Sequence, residues 1–430
     1  MIHVGILGFG TVGTGTARIL LENRAVLKER TGLDINLKKI ADIDIKRDRG
    51  LKLPKGVLTS KADELLNDPE IDIVVELIGG TTIAKEMVLR AIDKGKHVVT
   101  ANKALLATHG AEIFRAAAKK KVEIGFEASV AGGIPIIKVV REGLVANRIR
   151  AVYGIINGTT NYILTKMTEE KAEFGDVLKE AQKLGYAEAD PTYDIEGIDS
   201  AHKLAILASL SYGAQYSIKD VHCEGISWIT PMDIEFAREL GYKVKLLAIA
   251  KETGGKVELR VHPTMVPEEY LISKVDGVFN AVYVEGDAVG STLYYGRGAG
   301  DMPTGSAVVA DIADISRNIA NGAPGRPSFS HSRRPKNLLK MEDVRSMYYF
   351  RFSALDKPGV LSKISGILGK NNISIVSVIQ KGRREGKAVP LVVLTHMARE
   401  KDVVSAIREI NRLSAVAGKT AIIRVEGQES

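Results

Sequence analysis

Two lysines and a run of carboxylates are the residues whose types and spacing could do chemistry. Asp199 and Lys203 stand four apart at the opening of an apolar stretch, Leu204–Leu210, so on a helix they share one face. Everything beyond them is apolar or small, which predicts a buried helix and a partly desolvated pair. Upstream, Gly185-Tyr186-Ala187-Glu188-Ala189-Asp190-Pro191 continues through Asp194 and Glu196 as a loop dense in carboxylates. Thr100-Ala101-Asn102-Lys103 places a second lysine where an apolar strand ends. An ordinary lysine titrates near ~10.4, and burial beside a second cation brings it toward neutrality, where it can exchange a proton with an alcohol. Carboxylates around it would hold a substrate ammonium. Plainer readings stand beside these: Asp199 as an N-cap or surface pair, Lys103 as a solvated lysine, Glu188 as an exposed loop residue. His202 points to another helix face and reads as structural.

A second constellation is Gly8-Phe9-Gly10-Thr11-Val12-Gly13, a GxGxxG directly after a strand and opening a helix. The first glycine allows the tight turn and the second lets the backbone approach a pyrophosphate. The third lets helix and sheet pack closely. An acidic residue at the end of the next strand would bond the adenosine ribose, and Asp42 stands there. Lys46 and Arg47 follow it and could meet a 2′-phosphate, so NAD and NADP both remain open.

These residues need a parallel sheet to carry them. Residues 1–130 alternate apolar strands (His3–Leu7, Ile35–Ala41, Ile71–Ile78, His97–Thr100, Val122–Phe126) with helices (Thr11–Leu21, near Lys61–Asn67, Ala84–Lys94, Gly110–Lys120). Asn23–Asp34 reads as a loop. This is a Rossmann-type NAD(P)-binding domain. Residues 131–320 mix helices such as Phe174–Leu184 and Ser200–Leu210 with β-rich stretches, an α+β domain ending in a long helix, Gly305–Ala320. Residues 321–346 are rich in Pro, Ser and basic residues and read as a linker. Residues 347–430 follow the order βαββαβ: Tyr348–Ala354, Val360–Asn371, Ser374–Gly382, Val389–Thr395, Lys401–Leu413 and Lys419–Val425. The fold class is therefore α/β with a C-terminal ferredoxin-like module.

Composition narrows the classes further. The 430 residues are 45% hydrophobic and 26% charged, ordinary for a soluble globular protein. The net charge of +8 is scattered, aromatics make up 5%, and no nucleic-acid motif accompanies them, so a solvated surface is the expected reading. No stretch reaches the ~18 apolar residues that a membrane span requires. One cysteine, Cys223, excludes an intrachain disulfide. Without a signal peptide, a reducing cytoplasm is the expected compartment.

Several motifs together resemble homoserine dehydrogenase: GFGTVG, ELIGG at Glu76–Gly80, TANKALLA at Thr100–Ala107, EASVAGGIP at Glu127–Pro135, NGTTNYIL at Asn157–Leu164, and KLGYAEADPTYDIEGIDSAHKLAIL at Lys183–Leu207. The resemblance covers about residues 1–320 and implies that 131–320 are the family's catalytic and dimerisation domain. It implies NAD(P)-dependent interconversion of L-homoserine and L-aspartate 4-semialdehyde, on the route to threonine, methionine and isoleucine. Lys203 would be the proton donor and acceptor, and Lys103 a second active-site lysine that also meets the cofactor. Glu188 and Asp199 would hold the homoserine ammonium, with Gly185 and Asp194 nearby. The family also binds a monovalent cation, usually sodium, through carbonyls that match Glu127, Val130, Gly132 and Ile134. Gly298 and Gly300 resemble its late cofactor contact. One departure is Ile43, at or beside a position where many members carry an arginine that meets the NADP phosphate.

The C-terminal unit resembles an ACT domain in Leu355-Asp356-Lys357-Pro358-Gly359-Val360-Leu361 and Asn371-Asn372-Ile373-Ser374-Ile375. Such modules usually pair, which implies a homo-oligomer (dimer or tetramer) and, in this family, L-threonine as effector. The alternative there is an oligomerisation module without a ligand. Two other readings of the whole chain are a related oxidoreductase on another small substrate and a non-catalytic nucleotide sensor. A sensor has no need of Lys203.

Overall fold

The computed structural model describes residues 1–323, 337–381 and 387–427. They form two compact units that interleave along the chain. Met1–Gly158, Asp199–Val221 and the described part of 278–336 make the first. Thr159–Ile198, His222–Gly277 and the described residues from Asn337 onward make the second.

The first unit is built on a six-stranded parallel sheet. Its spatial order is Leu58–Thr59, Ile35–Ala41, Ile2–Leu7, Ile73–Glu76, His97–Thr100, Ile124–Gly125. This is the doubly wound order 3-2-1-4-5-6, whose carboxyl edge is where ligands bind. Val4, Ile6, Ile73, Val75 and Val99 are completely buried, because helices cover both faces and the strands need no polar alternation. The helix Thr11–Glu22 lies against Asp301–Ala320 at a contact between two glycines. A methyl group at Gly15 would sit 2.1 Å from Asp301 O, and one at Gly305 would sit 2.8 Å from Gly15 C. The unit also holds an antiparallel trio, Gly290–Arg297, Phe279–Gly286 and Ile149–Ile155.

Two local expectations need correcting. Asn23–Asp34 is not all loop: Arg24–Thr31 is helical and ends at Gly32 in the left-handed region (φ 74°). None of its residues is buried, so no apolar periodicity announces it. The helix expected from Gly110 begins at Lys103, where the Asn102 side chain caps it by accepting from Leu105 N at 3.0 Å. Gly110 lies inside that helix, buried against Phe114.

In the second unit Tyr242–Thr253 and Lys256–Pro267 form a long antiparallel hairpin. The βαββαβ module comprises Arg345–Leu355, Val360–Lys370, Ile375–Gln380, Ala388–Thr395, Glu400–Ile410 and Val416–Val425, as the sequence predicts. Its strands lie in the order 4-1-3-2. Tyr348, Phe350, Phe352 and Ala354 alternate onto the face covered by the two helices, where Ile364, Leu368, Val403 and Ile410 meet them. From the other face Arg351 reaches Asp233, with Nε 2.6 Å from Oδ1 and Nη2 2.9 Å from Oδ2. The last strand runs parallel to Lys256–Pro267, pairing Arg424 with Thr264 and Val425 with Met265. Residues 324–336 of the expected linker, and Gly382 at the end of an expected strand, lie outside the described residues. Where the linker resumes, Asn337 and Leu339 hydrogen-bond Val257.

The glycine contact yields a stability test. Gly15→Ala forces the Thr11–Glu22 and Asp301–Ala320 helices apart and should cost roughly 1–3 kcal/mol, as overpacking does, seen as a lower urea midpoint. A midpoint unchanged from the parent would contradict the contact.

Candidate active site

The glycine turn stands at the carboxyl edge of the first strand. Gly8 has φ 97°, and a methyl group there would lie 2.5 Å from Leu77 O. One at Gly13 would lie 2.2 Å from Gly8 O. Gly10 is different: nothing stands within 4 Å of its methyl position, so open space faces the turn. Gly10 is the N-cap of the Thr11–Glu22 helix and no side chain caps that end, which leaves its amide end to an anion.

Asp42 ends the second strand and faces this turn. Its Oδ2 accepts from Phe9 N at 2.5 Å and its Oδ1 from Asp44 N at 2.8 Å. Arg49, which the sequence reading passed over, is the cation that reaches this carboxylate. Its Nη2 is 3.3 Å from Asp42 Oδ1, its Nε donates to Phe9 O at 2.5 Å, and its guanidinium lies 4.8 Å over the Phe9 ring. The side chains of Lys46 and Arg47 are on the exposed loop between, and Ile43 is 97% exposed. Only the fold of that loop, and no pattern in it, selects Arg49.

Three elements converge on Asp199. It begins the Ile198–Tyr212 helix at 3% exposure, with Lys203 one turn on at 8%. Lys203 Nζ lies 2.7 Å from Asp199 Oδ2 and 2.7 Å from Ile156 O, the carbonyl just past the Ile149–Ile155 strand. Lys103 Nζ lies 2.7 Å from the other oxygen, Oδ1. Asn157 Nδ2 donates to Oδ2 at 2.9 Å. Burial alone would raise the Asp199 carboxyl, but the Lys203 and Lys103 ammonium groups outweigh it and hold the carboxyl well below the usual range. Asp199 is therefore an ionised hub between two lysines, not a surface partner. His202, half-buried, is pushed down by burial.

Lys103 is held by its surroundings. Asn102, the cap before it, also donates from Nδ2 to Gly80 O at 2.7 Å. Glu76, fully buried, accepts from Ile78 N at 2.9 Å and from Thr100 Oγ1 at 2.6 Å. Adjacent strand ends are thus laced together below the lysine. The sequence places Glu76, Thr100 and Asn157 within its motifs but assigns none of them a role in the site. Their signal was polarity directly after apolar strands.

Gly185, Glu188 and Asp194 belong to the second unit. Gly185 turns the chain after the Phe174–Lys183 helix with φ 77°. Asp194 Oδ2 is 3.0 Å from Thr159 Oγ1, which also donates to Tyr186 O at 2.6 Å. The Glu188 side chain is exposed, and its carbonyl accepts from Gln182 Nε2 at 3.1 Å.

The turn at 127–134 and the loop at 296–300, read separately in the sequence, meet in the first unit. Ala131 (φ 55°) and Gly132 (φ 52°) are successive left-handed residues, and a methyl group at Gly132 would lie 2.5 Å from Gly298 O. Gly133 N donates to Arg297 O at 3.0 Å. Gly300 (φ 121°) then opens the Asp301–Ala320 helix. The Glu127 carboxylate is engaged as a cap, accepting from Ile137 N at 2.8 Å and Lys138 N at 2.9 Å. Burial, and then the neighbouring Asp311, push this carboxyl up to about 7. Among the described residues no cluster of three His, Cys, Asp or Glu side chains could hold a metal ion.

Known proteins share this organisation. Family models match in three stretches: the homoserine dehydrogenase NAD-binding domain at residues 8–127, homoserine dehydrogenase at 135–313, and the ACT domain at 348–415. The chain is 48% identical to a homoserine dehydrogenase of Neisseria gonorrhoeae, over 99% of this chain and 98% of that one. A crystal structure of a homoserine dehydrogenase from Thiobacillus denitrificans is 50% identical, with a TM-score of 0.93 over 99% of this chain and 98% of its own. A hyperthermophilic archaeal homoserine dehydrogenase in complex with NADPH is 29% identical, with a TM-score of 0.62 over 73% of this chain and 97% of its own. With likeness of that extent in sequence and in fold, the chain belongs to the homoserine dehydrogenase family of oxidoreductases.

Proposed function

We propose that this chain interconverts L-homoserine and L-aspartate 4-semialdehyde with Lys203 moving the proton. The observation that carries the reading is the buried Lys203 ammonium, aimed by Asp199 Oδ2 and Ile156 O at 2.7 Å each. A bound nicotinamide supplies or accepts the hydride. In the reducing direction Lys203 gives its proton to the aldehyde oxygen, and in the oxidising direction its amine takes the hydroxyl proton. Asp199 orients both lysines, and Lys103 on its second oxygen is the active-site lysine nearer the cofactor. Glu188, Asp194 and Gly185 are the further substrate-binding residues that the resemblance implies, the exposed Glu188 carboxylate being suited to the substrate ammonium.

The glycine turn fits a dinucleotide. The open face of Gly10 and the uncapped helix end suit a pyrophosphate framed by Gly8, Phe9, Thr11, Val12 and Gly13. Gly298 and Gly300 supply the late contact. Asp42 suits the paired hydroxyls of an unphosphorylated ribose, and Arg49 suits a 2′-phosphate, so both nicotinamide cofactors are substrates in this reading. The 127–134 turn fits a sodium ion at the carbonyls of Glu127, Val130, Gly132 and Ile134. It offers neutral oxygen donors, which a hard cation prefers, and its one carboxylate is already spent on backbone amides.

In the ACT domain Gly359 (φ 85°) opens the Val360–Lys370 helix with no side-chain cap and open space around it, which suits an amino-acid carboxylate. We read L-threonine as that ligand and as a feedback inhibitor. The chain acts as a homo-oligomer, in the cytoplasm, in the synthesis of threonine, methionine and isoleucine.

Three assays test this. Aspartate semialdehyde should drive oxidation of NADH or NADPH, and Lys203→Ala should lower kcat by about 10²–10⁴ while sparing cofactor binding. Activity that survives this change would remove Lys203 from its role. Asp42→Ala should shift kcat/KM toward NADPH over NADH by about tenfold, the worth of one charge-assisted contact, and Arg49→Ala should shift it the other way. Identical ratios in all three proteins would refute the ribose assignment. Millimolar threonine should slow the wild-type enzyme, and an unchanged rate with the ACT domain folded would reject the effector.

A further inference from the structure

The carboxylate loop ends on a segment that holds it tightly. Ile226 N donates to Ile195 O at 2.9 Å, Cys223 Sγ lies 3.1 Å from Glu196 O, and Ser227 Oγ lies 3.0 Å from Glu196 Oε1. Gly225 packs directly under the loop, since a methyl group there would lie 2.6 Å from Ile195 O and 2.7 Å from Glu196 Cα. Residues 195–197 are therefore tied to 223–227.

The acidic residue of that second segment, Glu224, is gripped by the ACT domain. Arg424 Nη1 and Nη2 donate to its two oxygens at 3.0 and 2.9 Å. The same guanidinium donates from Nε and Nη2 to Glu400 at 2.9 and 2.6 Å. Glu400 begins the Glu400–Ile410 helix and also accepts from Tyr348 OH at 2.7 Å. Arg424 is 4% exposed and sits at the rung where the last ACT strand meets Thr264. A largely buried ion triad, with Glu224 its partly exposed member, is weak ground for stability, because apolar groups of similar size often serve as well. What a planar fork between two carboxylates supplies is register, since it tolerates little rotation of either partner.

We propose that Arg424 is a positioning residue for homoserine binding. Through Glu224 it sets the end of the carboxylate loop, and through Glu400 it makes that setting depend on the ACT helix. The inference rests on the reading of residues 185–197 as the substrate loop. Arg424 and Glu400 act through Glu224 and the loop, not by touching substrate or cofactor.

The test compares full-length wild type with Arg424→Met and with the triple variant Glu224→Gln/Arg424→Met/Glu400→Gln. The triple variant removes the three charges together and so strands none of them in the interior. We expect the KM for homoserine to rise about tenfold, the scale of a small misplacement of binding groups, while the KM for the nicotinamide cofactor stays unchanged. Amide hydrogen exchange in residues 190–197 should quicken in the same variants. Arg424→Lys, which keeps the charge and loses the fork, should fall between. Unchanged exchange in the folded triple variant would overturn the tie itself. Faster exchange with an unchanged homoserine KM would instead overturn the reading of the loop as the substrate site, and the role of Arg424 in binding with it.

Discussion

A carboxylate as deeply buried as Asp199 stays ionised only if cations stand beside it, and that requirement organises the first unit. Removing an ion from water costs several kcal/mol even after relaxation. The cost is offset here by two ammonium groups and an amide, each delivered by a different element. Lys203 comes from the same helix one turn later. Lys103 comes from the first turn of a helix capped by Asn102, and Asn157 from the chain just past a strand. Neither lysine can shift without leaving charge poorly paired in a low-dielectric interior, and a shift of Asn157 would cost the carboxylate a hydrogen bond. The parallel sheet, the caps and the laced strand ends all serve to bring these groups to one carboxylate.

Much of this was legible in the chain because its signals are periodic or local. The alternation of strands and helices marked the sheet, and the glycine spacing marked the turn: Gly8 and Gly13 answer steric demands of the fold, while Gly10 keeps the face of the turn open. The i,i+4 spacing of Asp199 and Lys203 was enough to put them together. Lys103 could be placed at a strand end, but its meeting with Asp199 depends on tertiary packing over 96 residues of separation, which spacing cannot express. Arg49 escaped notice for a related reason. A loop of mixed charges offers several cations, and only the path of its backbone decides which one turns inward. The Arg24–Thr31 helix escaped because a solvated helix buries no stripe to be read.

The second unit shows buried charge used for a different purpose. In the first, charges meet where chemistry is done. Around Arg424 they meet where a strand of one fold joins a strand of another, at a rung only two residues long. So short a ladder has little resistance to sliding, and a directional ion network restores the resistance that backbone pairing alone lacks. Asp233 shows a similar economy: it completes a capping box with Thr230 and anchors Arg351 of the ACT sheet as well.

That junction also limits how the ACT sheet can grow. A four-stranded sheet normally offers two edges, and a chain with two open edges can add copies without end. Here the end of the last strand, Arg424–Val425, is already paired with Lys256–Pro267, which blocks that edge at its end and leaves Ile375–Gln380 as the outer strand of the module among the described residues. Strand addition from a single edge is necessarily self-terminating. Two copies that met there would share one two-fold axis and exhaust both edges, giving a closed pair where an open sheet would give a fibre.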